Sequence, residues 1–246
     1  MNRNPAPRLE SPKPLSEDCP DCGFIDWGRG ANPSMDEMQR FCGRIEHRRL
    51  RKHREYLHRA GTTLGVLYVI NSGFVKTIIS DGNGHEQITG FSMPGDLIGM
   101  DAIATGKHQC STVALEDSSL CGMAFLDLEL LNREIPTLQH HFHQTMGAEI
   151  TRDHGMMLLL GAMRAEERVA MFLLNLSRRF ALRGRSGTRF RMPMTRQEIG
   201  NYLGLQLETV SRAFSQLANA QLIAVDNKDV EIKSVERLQQ VLQNQH

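Results

Sequence analysis

The chain has 246 residues, 40% of them hydrophobic, with 29 Lys+Arg against 28 Asp+Glu and a formal net charge of +1. That length and apolar content suffice for a buried core in two domains. No apolar run approaches the roughly 20 residues that cross a bilayer, and the polar, Pro-rich MNRNPAPRLESPKP lacks the apolar segment of a secretory signal. The five cysteines are an odd number in a chain that reads as cytoplasmic, which argues against a disulfide framework and raises metal or redox chemistry.

In chain order, residues 1–33 are expected to form a disordered tail and a cysteine loop. Cys19-Pro-Asp-Cys22 stands in the Gly- and Pro-rich segment CPDCGFIDWGRGANP. A CxxC on a loop can present two thiolates to one metal or cluster; two loop cysteines without a ligand are the plain alternative. Trp27 is either a shield for the loop's contents or a packing anchor. SMDEMQRFCGRIEH reads as a short amphipathic helix, with Ser34 as N-cap and Glu37 at capping-box spacing. Met35, Met38, Phe41, Cys42 and Ile45 share its apolar side, where Cys42 reads first as a small core residue.

From Leu64 to Phe125 short β-branched runs (VLYVI, GFVKTII, EQITGF, DLIGM, STVAL) alternate with Asn-Gly, Asp-Gly and Pro-Gly turn signals. This spacing predicts an antiparallel barrel or jelly roll, assigned to residues 34–143. Cys110 falls in a polar loop without an evident partner, and Cys121 in an apolar strand. Helical periodicity follows to about Gly161, with the dimerisation helix assigned to residues 144–163. Met146, Ile150, Asp153, Met157 and Leu160 recur at alternating four and three, the seam of a helix that pairs with its own copy. Asp153 interrupts the apolar stripe. It is either a surface acid on a twisted helix or, beside its copy, a repulsion that keeps the homodimer marginal.

Residues 164–246 read as a winged helix-turn-helix. Between Arg164 and Arg212 stand ten arginines against four glutamates, with no lysine or aspartate, the concentration expected for phosphate contacts. In MTRQEIGNYLGLQLETVSRAFSQL, Ile199 and Leu203 share one face of a first helix, and Val210, Phe214 and Leu217 one face of a second, with Gly204 at the turn. Glu208, Ser211 and Arg212 then project together from the second helix. Arg fits guanine O6/N7 and Glu accepts from cytosine N4, so this face can read a major groove. Thr195 and Arg196, at the entry to the first helix, complete the expected DNA-contacting set.

The order of cysteine loop, β-roll, long helix and helix-turn-helix resembles the Crp/Fnr transcription regulators, in particular the Fnr (fumarate and nitrate reduction) oxygen-sensing branch. EQITGF, GDLIG, MDAI, RAEER, NLSRRFA and MTRQEIGNYLGLQLETVSR carry the resemblance, which spans roughly Cys19 to Ile232. It implies an α+β fold and a homodimer on a palindrome of TTGAT half-sites read by Glu208, Ser211 and Arg212. It also implies contact of the β-roll with RNA polymerase, and a [4Fe-4S] cluster whose presence offsets the Asp153 repulsion. Cys19 and Cys22 match the first two cluster ligands and Cys121 the distant one; the third family cysteine falls on Gly28, so either Cys42 or Asp26 fills the gap or the site has three cysteines and is unusually labile. The stretch that grips cyclic nucleotide phosphate in the Crp branch reads Asp101-Ala102-Ile103-Ala104, so cyclic AMP is not expected. Gln206 replaces the usual Ser/Thr N-cap of the recognition helix. Two further readings stay open: a family member without a cluster, controlled by haem or a small molecule, and an iron–sulfur redox protein. No nucleophile–base pairing or nucleotide-phosphate loop is found, and no enzymatic activity is expected.

Overall fold

The computed structural model describes residues 22–50, 55–81 and 84–242. Cys19 and most of the expected tail therefore lie outside the described residues. The chain begins with helices α1 (Gly23–Arg29) and α2 (Met35–Cys42) and strands β1 (Ile45–Leu50) to β8 (Ser118–Ala124). Between them run β2 (Tyr56–His58), β3 (Val66–Ser72), β4 (Val75–Ser80), β5 (Glu86–Ser92), β6 (Leu97–Ile98) and β7 (Ser111–Ala114). Two antiparallel four-stranded sheets result, ordered β1-β8-β3-β6 and β2-β7-β4-β5.

Period-2 alternation along β3 sorts its side chains between two cores. Ile70 faces Leu57, Val75, Ile98, Ala114 and Leu120 between the sheets. Leu67 and Val69 face outward with Cys121 and Met123, against the helices. A strand buried on both faces needs apolar residues at consecutive positions, which is why VLYVI reads as an unbroken run.

The expected cysteine loop is, from Cys22 onward, helix α1. Its glycines are packing positions and not turn positions. A Cβ on Gly23 would lie 2.9 Å from Ile70 O, and one on Gly28 would lie 2.8 Å from Phe41 Cε1. Phe24, Trp27 and Phe41 interlock there, with Phe24 and Trp27 edge to face at 5.5 Å. Ser34 caps α2 and Glu37 closes the capping box, as its spacing predicts.

Helix α3 (Phe125–Glu134) leads to the long helix α4 (Pro136–Ala162). α4 starts eight residues earlier than the expected boundary at 144. Pro136 sets the start: it suits the first helical turn and holds Ile135 extended. Then follow α5 (Ala165–Leu182), β9 (Arg189–Arg191), α6 (Arg196–Leu203), α7 (Leu207–Asn219), β10 (Ile223–Asp226), β11 (Asp229–Ile232) and α8 (Val235–Gln240). The three-stranded sheet β10-β11-β9 is the wing. One apolar core joins this unit to Phe74, Ile88, Phe91 and Met93 of the β-roll.

A buried ion cluster reinforces that junction. Asp96, in the Pro-Gly-Asp turn before β6, pairs with Arg179 of α5 and with Arg183, the C-cap of α5, and Arg152 of α4 lies 4.0 Å away. Burial alone would raise the Asp96 carboxyl, but these guanidinium groups hold it below the usual carboxylate range. A second bridge, Lys76 Nζ to Glu198 Oε1 at 2.8 Å, joins β4 to α6.

Candidate nucleic-acid interface and thiol core

In the helix-turn-helix, Ile199, Leu203, Val210, Phe214 and Leu217 are all buried, as the periodicity requires. Gly204 ends α6 in the left-handed conformation (φ 63°), which a side chain would strain. Gly200 lets the turn close, since a Cβ there would approach Leu205 O to 2.6 Å. Thr195 caps α6 through Glu198 N at 3.1 Å, and the Glu198 carboxylate returns to Thr195 N at 2.9 Å.

The opposite face of α7 is exposed and carries Glu208, Ser211 and Arg212 together. Ser211 Oγ donates to Leu207 O at 2.9 Å, so its lone pairs face outward as acceptors. Arg212 has only a 3.5 Å contact to Thr209 Oγ1, and its guanidinium is available for a bidentate contact. Gln206 makes no side-chain cap.

The arginine concentration resolves into two populations. Six of the ten are engaged by other groups of the protein, Arg189 and Arg191 at its exposed surface. Arg168 donates to Leu160 O, Met163 O and Leu203 O, each at 2.9 Å. Arg179 and Arg183 hold Asp96, Arg189 holds Glu231, and Arg191 holds Glu116. Arg196 lies 3.3 Å over the Phe214 ring, and burial lowers it to about 10. The reading of this charge as one phosphate footprint is therefore corrected: exposed Arg164, Arg178, Arg185 and Arg212 remain for a polyanion.

The helix seam predicted along α4 is laid open. Met146 packs partly against the helical core of the β-roll. Ile150, Met157 and Leu160 are 56%, 69% and 40% exposed, and Asp153 is exposed among them. The inward face of α4 buries Leu138, Phe142 and Leu159 near its two ends and is polar between them, where Glu149 meets Arg152 at 2.7 Å and burial raises the Glu149 carboxyl.

At the other end, Cys22 and Cys121 are fully buried in one core with Phe24, Trp27, Phe41 and Met123. Cys42, at the end of α2, is half-buried, and its thiol is raised by burial and then by the charge of Cys22, its neighbour. Cys22 thus shares a core with Cys121 and lies within electrostatic reach of Cys42. Asp26 does not join them; it is exposed and pairs with Arg29 at 2.9 Å. Gly28 has the Phe41 ring where a side chain would go. Trp27 is a packing anchor whose Nε1 donates to Thr145 Oγ1 of α4 at 3.1 Å. Cys110 is buried apart from these, beside Asp101.

Two family profiles match: the Crp-like helix-turn-helix domain over residues 167–241 and the cyclic nucleotide-binding domain over residues 48–131. The fumarate and nitrate reduction regulatory protein of Escherichia coli (strain K12) is 40% identical, covering 91% of this chain and 89% of its own. Transcriptional regulatory protein btr of Bordetella pertussis is 38% identical over 93% of this chain and 96% of its own. Among solved structures, FixK2 from Bradyrhizobium japonicum superposes with a TM-score of 0.72 at 30% identity, covering 80% of this chain and 96% of that one.

Proposed function

The chain belongs to the Crp/Fnr family of transcription regulators, and from that premise we propose that it controls oxygen-responsive genes as a homodimer under a [4Fe-4S] cluster. Glu208, Ser211 and Arg212 read the base edges of a TTGAT-type half-site, exposed Arg164, Arg178 and Arg185 serve the phosphates, and Thr195 lies beside them at the entry to α6, where Arg196 is held by the Phe214 ring. Half-sites one helical turn apart follow from two-fold symmetry. The β-roll is the face offered to RNA polymerase, and the protein acts in the cytoplasm.

The observation that carries the oxygen reading is the shared core of Cys22 and Cys121, tied through Trp27 to α4. The donor set is of the right chemistry: Cys22 shares a core with Cys121, Cys42 feels the charge of Cys22, and Cys19 is three residues before Cys22 in the sequence. These four thiolates would hold the cluster, with Cys42 taking the place denied to Gly28. Bound there, the cluster supplies an oxygen-labile cross-link between α1, α2 and β8. The chain's own part is to transmit packing changes in this core through Trp27 and Thr145 to the seam. Across the seam Ile150, Met157 and Leu160 attract a second copy while the two Asp153 carboxylates repel it. An acid at Asp101, in place of a phosphate-binding group, disfavours a cyclic nucleotide.

The test is sedimentation and DNA binding of protein purified without oxygen, alongside iron and sulfide assay, before and after exposure to air. Iron, dimer and palindrome binding lost together support the reading, and Asp153→Ala is expected to remain dimeric in air. An iron-free protein that binds the palindrome equally in both conditions would move control to another effector.

A further inference from the structure

Three side chains within the β-roll form a cluster apart from the DNA-reading face, the helix seam and the thiol core. His58 lies on β2, Asp101 in the turn after β6, and His108 in the loop before β7. Their ligand-type atoms all lie within 4.8 Å of one another. His108 is 4% exposed, and its Nδ1 is 3.1 Å from Asp101 Oδ1. Asp101 Oδ2 accepts the N–H groups of Gln109 at 2.8 Å and Cys110 at 3.0 Å, which fixes the loop that carries His108. On the other side, Thr112 Oγ1 is 3.1 Å from His58 Nε2 and orients that ring. The two imidazoles stack, centroids 3.6 Å apart and planes 12° from parallel.

Two cationic rings at that separation repel strongly, so the stack requires at least one neutral imidazole, the form that ligates metal. We propose that His58, Asp101 and His108 form a site for a borderline divalent cation of the zinc, cobalt or iron(II) kind, separate from the thiol core. Two imidazole nitrogens and one carboxylate oxygen suit these ions better than magnesium or calcium, and the remaining positions are open to water. Both nitrogens reach one ion by a tilt of the rings about χ2, a soft torsion. The Asp101 contacts to the 109 and 110 amides supply the outer support that metal sites use to hold a ligand in place. The nearby Cys110 thiol is pushed up to about 11, by burial and then by the charges of Asp101 and Asp153, so it is not counted as a ligand. A bound ion would fasten the short strand β2 to the segment between β6 and β7.

The test is a cobalt(II) titration of the full-length protein, purified in air with a chelator and followed by visible absorption. The expected result is a nitrogen/oxygen-type d–d spectrum that saturates with one ion per chain. His58→Phe keeps a flat ring on a half-buried position, and Asp101→Asn keeps the carboxylate's shape. Each is expected to weaken this cobalt spectrum by at least about tenfold, with the far-UV circular dichroism unchanged. Cobalt held at the cysteines would show sulfur-to-metal charge transfer that His58→Phe leaves in place. A titration that His58→Phe does not alter, or the absence of any cobalt binding, overturns the proposal. Neither result depends on whether oxygen controls DNA binding.

Discussion

Helices α7 and α4 both bury apolar residues but expose opposite kinds of side chain. α7 buries Val210, Phe214 and Leu217 and exposes Glu208, Ser211 and Arg212. α4 turns Glu149 and Arg152 inward toward Asp96 and exposes Ile150, Met157, Leu158 and Leu160. The first is the amphipathic arrangement of a finished helix in water. The second leaves a further apolar stripe uncovered in a single protomer, beyond the Leu138, Phe142 and Leu159 that it buries, and spends the polar middle of its inner side on a latch between domains. The exposed face of α7 is thus preformed, while on the proposed reading its placement on a two-fold site depends on what α4 does.

The largest test of this contrast is the polar side of α4. Asp96→Ala leaves buried Arg179 and half-buried Arg183 without their counter-ion and should cost about 3–5 kcal/mol in urea unfolding. A loss within the range of a surface pair would mean that the cluster is not the latch. The sign with pH follows from the lowered Asp96 carboxyl. Its contribution is complete above the unfolded value, near about 4, and disappears as pH falls through the lower folded value. Stability of the wild type should therefore fall more steeply in acid than that of Asp96→Ala.

On the recognition helix, Arg212→Ala should cost about 1–3 kcal/mol on the specific palindrome while leaving the unfolding midpoint unchanged. Competition binding against a half-site altered at one base reads this directly, and unchanged discrimination would remove Arg212 from the reading set. The smallest effect is expected at the start of α7. Gln206→Ser supplies the missing N-cap and should add about 0.5–1 kcal/mol of stability, with base discrimination unaltered. A thermal shift of zero would show that the turn already satisfies those amides.

Where function rests on a periodic helix, the sequence was legible: the helix-turn-helix core, the α7 face, the α4 stripe and the capping box of α2 all follow from spacing. The strands from Val66 onward were legible for the same reason. β1 escaped because Ile45–Leu50 is rich in His and Arg, a composition that gives no strand signal. Helix α1 escaped because Gly23 and Gly28 read as loop residues, and only the approach of Ile70 and Phe41 shows why side chains are absent there. The Asp96 latch and the His58–Asp101–His108 cluster join residues distant in the chain, which no local pattern can announce. Charge counting overreached for a related reason: an arginine's sequence does not say whether its partner is a phosphate or, as for Arg189, a glutamate on the wing.

Arg168 has a mechanical consequence. Its guanidinium binds the last turn of α4 at Leu160, the connector at Met163 and the end of α6 at Leu203. Leu203 immediately precedes the Gly204 turn that aims α7. The three carbonyls are thereby riveted to one rigid, planar plate. If the ends of two paired α4 helices twist about their common axis, that torque reaches the recognition helices without slack, and the angle at which each enters its groove is geared to the dimer.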